Sequence, residues 1–139
     1  MLLPKKVKFR KWQTQRRRRN TTRLETRGLE LSFGSFGLKA DSYGRNTSNQ
    51  IEAARKTISR QLKKTGKLWI RIFPDRPFTA KGSEVGMGKG KGEPQGYSFE
   101  VLPGRVLFEV EGLTEAESRE ALRKAGAKLP ISSKVVGRF

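Results

Sequence analysis

The sequence predicts a single α+β domain in which a mixed, mainly antiparallel sheet packs against two helices. Two capping boxes, each followed by an apolar stripe, mark these helices near residues 47 and 114. Short runs of alternating apolar and polar residues indicate strands, and they do not alternate regularly with the helices. A chain of 139 residues can bury one modest core. We therefore expect one domain at residues 28–139, preceded by an arm at residues 1–27.

The predicted arm holds more than half of the net positive charge. The chain has 31 Lys and Arg against 13 Asp and Glu, a net charge of +18. Residues 1–27 hold 11 of these cations and one acid, Glu25, which leaves +10. Such a block repels itself and predicts an RNA-binding arm, with Phe9 and Trp12 interleaved for stacking on bases. A mitochondrial presequence is the alternative, but the stretch contains no Ser. The densest run of cations is Arg16, Arg17, Arg18 and Arg19.

Two strands of opposite parity are predicted after the arm. Apolar residues occupy alternate positions over residues 29–33 and again over residues 36–40. The parity changes at Gly34 and Ser35, which predicts a bulge or a tight turn between the two runs.

The clearest helix follows. Thr47 and Gln50 have the spacing of a capping box, and Gly66 stands where a C-terminal cap is expected. The apolar stripe between them consists of Ile51, Ala54, Ile58 and Leu62.

The opposite face of this helix is predicted to contact phosphate. Four cations fall within about 100° of arc on that side. Glu52, at i,i+4 spacing from Lys56, offsets them only in part. A face that is merely solvated would usually be mixed in sign. The four cations are Lys56, Arg60, Lys63 and Lys64.

Residues 67–73 alternate as a strand that Pro74 and Pro77 are expected to end. Trp69 is expected in the core, which is the more frequent fate of a strand tryptophan. No periodicity is visible over residues 79–96, so we predict an exposed loop there.

The chain beyond this loop predicts a hairpin, a second helix and a last short strand within residues 128–136. Residues 97–101 and 106–110 alternate around a Pro-Gly turn, which indicates that the two runs pair. The helix is expected to begin after Thr114, with Glu117 completing its capping box, and to stop near Gly126. Its apolar face is Ala121, Leu122 and Ala125. Its charges are spaced to neutralise one another, as Glu115 with Arg119 and Glu120 with Lys124.

The Gly/Lys loop does not fit either glycine-rich nucleotide motif. A P-loop requires Ser or Thr after its lysine, whereas each lysine here is followed by glycine, and the spacing of G-x-G-x-x-G also fails. Glycines allow close approach of the backbone, and lysines offer point charges to phosphate. The loop is thus predicted to be a cationic finger, with a solvated flexible loop as the alternative. Its residues are Met87, Gly88, Lys89, Gly90, Lys91 and Gly92.

Composition argues against most catalytic chemistry. The chain has no Cys and no His, so thiolate nucleophiles, the usual zinc ligand sets and the commonest proton-transfer group are absent. No apolar run approaches the roughly 20 residues of a membrane-spanning helix. We expect no cofactor and no metal. An RNA-modifying enzyme that uses Asp75 or Glu93 as a base is the weakest alternative, and a free-standing RNA chaperone or single-stranded RNA binder is the stronger one.

Seven blocks of the sequence are similar to one known family. They are PKKVKFRK, SFGSFGLKA, QIEAARKTISR, GKLWIRIFPDRP, MGKGKG, PGRVLFEVEG and KLPI, in this order. In this order they resemble the bacterial large-subunit ribosomal protein sixteen family over essentially the whole chain.

The resemblance implies a single α+β domain of the hammerhead type that is not an enzyme and not a homo-oligomer. It implies binding to the large-subunit (23S) ribosomal RNA near the aminoacyl site and the peptidyl-transferase region. The implied neighbours are transfer RNA, other ribosomal proteins and the 5S RNA region, in the cytoplasm of a bacterium or in an organelle. The MGKGKG match places residues 87–92 toward transfer RNA. The PKKVKFRK match nominates as ribosomal-RNA contacts Lys5, Lys6, Lys8, Arg10 and Lys11.

Overall fold

A computed structural model of the chain describes residues 1–11, 24–62, 64–80 and 92–138. Within these residues, seven strands and two helices follow one another along the chain. Their bounds are β1 (Phe36–Ala40), β2 (Gly44–Thr47), α1 (Ser48–Ser59), β3 (Lys67–Ile70), β4 (Arg76–Ala80), β5 (Glu93–Val101), β6 (Val106–Glu111), α2 (Glu115–Gly126) and β7 (Ser133–Gly137).

The strands form two antiparallel sheets instead of the one mixed sheet that was expected. One sheet has the order β3-β6-β1-β7, and the other has the order β2-β5-β4. Every pairing between the described strands is antiparallel. The predicted α+β class with two helices is therefore confirmed, and the two helices pack on each other as well as on the strands.

The core lies between the helices and one face of the four-stranded sheet. Leu38 of β1 stands opposite Phe108 of β6, and both are fully buried. The predicted apolar stripes supply the other side of the core, because Ile51, Ala54 and Ile58 of α1 and Leu122 and Ala125 of α2 are buried as well. The hydrophobic faces of both helices were thus correctly read from the 3.6-residue period.

Both helix starts are confirmed, and one helix end is corrected. Each capping box is complete, with Thr47 and Thr114 accepting from the third backbone N–H of their helices. Helix α2 ends at Gly126, as predicted. Helix α1 ends at Ser59 and not near Gly66. After Arg60 the chain tightens into i→i−3 bonds, from the N–H of Gln61 to Ile58 and from that of Leu62 to Ser59, which end the α-helical ladder.

The predicted strand at residues 29–33 is not formed. The backbone N–H groups of Ser32, Phe33 and Gly34 donate to Oε1 of Glu109 at 2.9, 3.0 and 3.1 Å. These donors are therefore not available to a strand ladder. The segment instead covers the face of the four-stranded sheet away from the helices, where Leu31 packs so closely on Gly37 that an added Cβ would lie 2.4 Å from it.

The predicted pairing of residues 97–101 with 106–110 is wrong. The first run belongs to β5 and the second to β6, and these strands lie in different sheets. Ala40 bonds to both sides of the intervening turn, accepting from the N–H of Gly104 at 2.8 Å and donating to the carbonyl of Arg105 at 2.8 Å. The Pro-Gly turn, with Gly104 at φ 102°, is thus a corner between two sheets.

Strands extend into both ends of the segment that was predicted as a loop at residues 79–96. β4 pairs with β5 from Arg76 opposite Ser98 to Ala80 opposite Glu93. Proline did not prevent this, because β4 is an edge strand and Pro77 has a partner on one side only. The preceding strand is shorter than predicted, since β3 ends at Ile70.

Candidate nucleic-acid interface

An open groove of about 390 Å³ runs along the exposed side of α1. It lies between that helix, the start of the chain and the turn that follows α2. Its charged lining consists of the N-terminal amine of Met1, Glu52, Lys56, Arg60 and Lys128. Four positive groups thus face one carboxylate.

Two of the four predicted cations of α1 lie in this groove. Lys56 and Arg60 are exposed, and in the part of the chain that the structure describes no carboxylate lies within ion-pair distance of either. Both stand in or just after the last turn, where cations are favoured by the helix dipole. Of the other two, only Lys64 can be placed, and it does not extend this face as predicted. Lys64 follows the end of the helix, and Lys63 lies outside the described residues.

Lys128 is a groove residue that the sequence reading missed. It was read as the start of the last strand, but it lies in the turn after α2, where its N–H donates to the carbonyl of Ala125 at 3.0 Å. The packing of α2 on α1 brings it beside Lys56 and Arg60, more than 60 residues away along the chain. No local pattern could have revealed this neighbour.

The single acid of the groove is neutralised by a residue other than the predicted one. Glu52 accepts from Nε and Nη2 of Arg55 at 3.0 and 2.5 Å, and its predicted partner Lys56 contributes only a weaker Coulomb attraction. The terminal amine of Met1 lies 3.7 Å from the same carboxylate. The hydrogen bond from Arg55 is the main reason that the pKa of Glu52 is lowered from 4.5 to about 2. A fork-shaped guanidinium competes better for a carboxylate than a lysine one turn away, and Lys56 forms no ion pair with a carboxylate in the described part of the chain.

The beginning of the predicted arm is attached to the same helix. Leu2 packs against the core, and Met1 contacts Glu52 of α1. Lys5, Lys6, Lys8 and Arg10 are exposed, and Lys11 is half-buried. The ammonium of Lys8 lies 5.5 Å from the ring centroid of Phe9. The exposed cations of the arm therefore begin a few residues from the groove.

Several predicted contact residues lie outside the described residues. They are Arg16, Arg17, Arg18, Arg19 and Lys63, and in the loop Met87, Gly88, Lys89, Gly90 and Lys91. Of the predicted loop site, the structure describes Gly92 only.

The strands that lead to this loop are held by a charge cluster that the sequence reading did not find. Glu100 of β5 accepts a hydrogen bond from the hydroxyl of Tyr43 at 3.3 Å and pairs with Arg45 of β2 at 3.3 Å. It also forms an ion pair with the buried Arg76 of β4. One carboxylate thus ties together all three strands of the smaller sheet.

Two further arginines are committed to the fold. Arg71 pairs with the fully buried Glu109 at 2.5 Å. Burial opposes ionisation of Glu109, but the backbone N–H groups of residues 32–34 and Arg71 outweigh it, and the pKa of Glu109 is lowered. Arg105 donates to the carbonyl of Arg71 at 2.9 Å and lies 5.2 Å from the ring centroid of Phe99. Its pKa is lowered, chiefly by burial. Neither guanidinium is placed to meet a phosphate.

The cations of α2 are neutralised within the helix, as predicted. Arg119 pairs with Glu115 at 3.1 Å, and Lys124 lies 3.6 Å from Glu120. Arg123 adds a pair that was not predicted, with Nη2 at 2.7 Å from Oε1 of Glu120. The two helices thus present opposite kinds of charged surface.

The described ranges contain neither a membrane-spanning helix nor a cluster of metal-ligating residues. None of the helices there is both long and apolar enough to cross a bilayer. Nor do three or more Asp or Glu side chains come together there as a possible set of metal ligands.

Known proteins resemble the chain along nearly its full length. Residues 4–136 match the family described as ribosomal protein L16p/L10e. The large ribosomal subunit protein uL16 of Halorhodospira halophila (strain DSM 244 / SL1) is 51% identical over 138 residues, which cover 99% of this chain and 98% of that protein.

Proposed function

Because the chain belongs to the ribosomal protein L16p/L10e family, we propose that it binds large-subunit ribosomal RNA through the groove along α1. Membership gives it a structural role in the large ribosomal subunit, among ribosomal RNA and other ribosomal proteins, and the family is not one of enzymes. The free-standing RNA chaperone is not favoured by this membership. Its place of action is the ribosome in the cytoplasm.

The observation that carries the proposal is a set of groove cations that form no ion pair with any carboxylate among the described residues. Lys56, Arg60 and Lys128 line one groove with a volume of about 390 Å³, and the carboxylate among them, Glu52, is hydrogen-bonded to Arg55. Exposed cations without counter-charges displace the counterions of phosphate when they bind, which is the main source of affinity in such interfaces. The exposed lysines at the start of the arm would extend the same contact.

The proposal is tested with a triple variant of the groove, Lys56→Ala, Arg60→Ala and Lys128→Ala. Binding to transcribed large-subunit ribosomal RNA is measured between low and high salt. The log-log salt slope should fall by about 2, because each lost phosphate contact removes about 0.7 to 0.9. The matched control removes three cations from α2, by Arg119→Ala, Arg123→Ala and Lys124→Ala, and should leave the slope unchanged. Equal losses in both triple variants would refute the groove as the interface.

The Gly/Lys loop is proposed to face transfer RNA. Support for this comes from the MGKGKG block that the chain shares with its family and from the two lysines, which suit phosphate contacts. Replacing Lys89 and Lys91 with Ala should leave folding and subunit incorporation intact and weaken binding of transfer RNA to the subunit. Replacing Arg16 to Arg19 with Ala should do the reverse. Failure of incorporation in the loop variant, with normal transfer-RNA binding, would make the loop an assembly contact.

A further inference from the structure

One aromatic side chain outside the groove is held in place while its ring stays open to solvent. Phe33 is 52% exposed. Its backbone is nevertheless fixed, because its N–H and those of its two neighbours all donate to one oxygen of Glu109, whose side chain is fully buried. A surface phenylalanine in a loop without strand pairing would ordinarily retain much of its freedom. Here the backbone of Phe33 is already ordered in the folded protein, so binding a ligand would not cost that conformational entropy again.

The ring of Phe33 is positioned as well as its backbone. It is stacked on Trp69, with the ring centroids 5.8 Å apart and the planes at 18°. The guanidinium carbon of Arg71 lies 5.1 Å from the ring centroid of Phe33. Arg71 is held in turn by its ion pair with Glu109. One buried carboxylate therefore positions both the backbone of Phe33 and the cation beside its ring.

The side chains that support the ring rise from one face of the sheet. Trp69 stands directly opposite Glu109 in the sheet, and the N–H of Arg71 continues the same ladder to Leu107 at 2.9 Å. Residues two apart in a strand point to the same face, so Trp69 and Arg71 both rise from the side of the sheet that carries Glu109. The ring of Phe33 lies against both of these side chains, and about half of the residue's surface, 52%, stays open to solvent.

We propose that the exposed part of the Phe33 ring is a stacking site for one unpaired base of RNA. The inference rests on the proposed RNA-binding function and adds a ligand class, a nucleobase, to the phosphates of the groove. The flat face of an aromatic ring suits any base, since every base has a π-face. The charge of Arg71 is compensated by Glu109, so the site offers no free cation for a phosphate. A polyanion is the expected partner of this surface because the protein carries +18 and the segment continues directly from the basic arm.

The experiment compares base stacking with backbone contact. The full-length protein is titrated with an oligoadenylate of about 12 nucleotides and with an abasic oligomer of equal length. Phe33→Leu should lower affinity for oligoadenylate by about fivefold or more, since aromatic stacking is lost while apolar packing on Trp69 is largely kept. It should leave both the affinity for the abasic oligomer and the salt slope unchanged. Phe33→Trp, which keeps an aromatic ring at this position, should retain the affinity of the unmodified protein for oligoadenylate.

Phe73→Leu is the matched control. Phe73 is 41% exposed and has no ring stacked on it among the described residues, so its replacement should change affinity for oligoadenylate by less than about twofold. Thermal unfolding of each variant verifies that the fold is intact.

Three results would overturn the assignment. The first is an equal loss for Phe33→Leu and Phe73→Leu. The second is an equal loss for both oligomers. The third is unchanged affinity for oligoadenylate together with reduced incorporation into subunits, which would identify a protein partner at Phe33. A flat salt response of the unmodified protein would instead contradict the proposed function, so the two failures are distinguishable.

Discussion

The helices α1 and α2 are built alike and present different surfaces. Each has 12 residues, a threonine capping box and a buried apolar face. Helix α2 begins with two acids and pairs its cations internally. In contrast, the first turn of α1 has no acid, and Lys56 and Arg60 form no ion pair with the carboxylates that the structure describes. If α1 is the RNA-binding helix, as proposed, the number of cations on a helix does not by itself identify a nucleic-acid face. What matters is whether carboxylates of the same protein already occupy them.

The most direct way to break this difference is to reverse one charge in α1. Lys56→Glu places a carboxylate one turn before Arg60, which gives α1 the internal pairing of α2. Affinity for ribosomal RNA should fall by about tenfold, and the salt slope by about 0.7 to 0.9 or more. Salt-dependent binding measures both. Lys124→Glu in α2 makes the same change in net charge and should have a much smaller effect. An equal effect would mean that total charge, and not the groove, governs binding.

The shared capping boxes provide a test of what the helices have in common. Thr47→Ala and Thr114→Ala should each lower the free energy of unfolding by about 1 kcal/mol, because each removes the acceptor for a backbone N–H in the first turn. Denaturant unfolding measures the loss. Neither change removes a cation, so the salt slope of RNA binding should stay the same. A changed slope in one variant would show that the start of that helix also contacts RNA.

Removing the ion pairs of the α2 cations should give that helix part of the RNA-binding contribution that is proposed for α1. Glu120→Gln removes the carboxylate shared by Arg123 and Lys124. We expect the salt slope of RNA binding to rise by up to about 0.7, one phosphate contact. The pairs are exposed, so the free energy of unfolding should change by no more than about 0.5 kcal/mol. Glu115→Gln, which frees Arg119 only, is the graded control. A salt slope that does not rise in Glu120→Gln would show that the location of a cation on the protein matters more than whether a carboxylate neutralises it.

The smallest functional effect is expected for the ion pair inside α1. Arg55→Ala should raise the pKa of Glu52 from about 2 toward 4.5, because the hydrogen bond from Arg55 is its main cause. A carboxyl pKa that is lowered on folding stabilises the native state above the ordinary value, and this contribution is lost as pH falls from about 4.5 toward 2. Carboxyl titration by NMR measures the shift. Lys56→Ala is the control. A larger rise in the pKa of Glu52 in that variant would show that Lys56, as the sequence suggested, is the main partner of Glu52.

Local rules predicted the helices better than the strands. The helix starts at Thr47 and Thr114 and the stripe of α1 were correct, because caps and i,i+4 neighbours lie within one turn of each other. The strand at residues 29–33 was wrong because a carboxylate about 75 residues away takes its backbone donors. The predicted pairing across the Pro-Gly turn was wrong because alternation shows that a strand exists but does not show which sheet it joins.

The sequence by itself determined the α+β class, the family, the excess of positive charge and the internal pairing of α2. These depend on composition, on ordered blocks along the chain and on contacts within one turn of helix. Only the tertiary structure decided which cations remain available. It brought Lys128 to α1, assigned Arg71 to a buried carboxylate 38 residues away and placed Phe33 over Trp69. Charge compensation acts through space over a few ångströms, and distance along the chain does not report it.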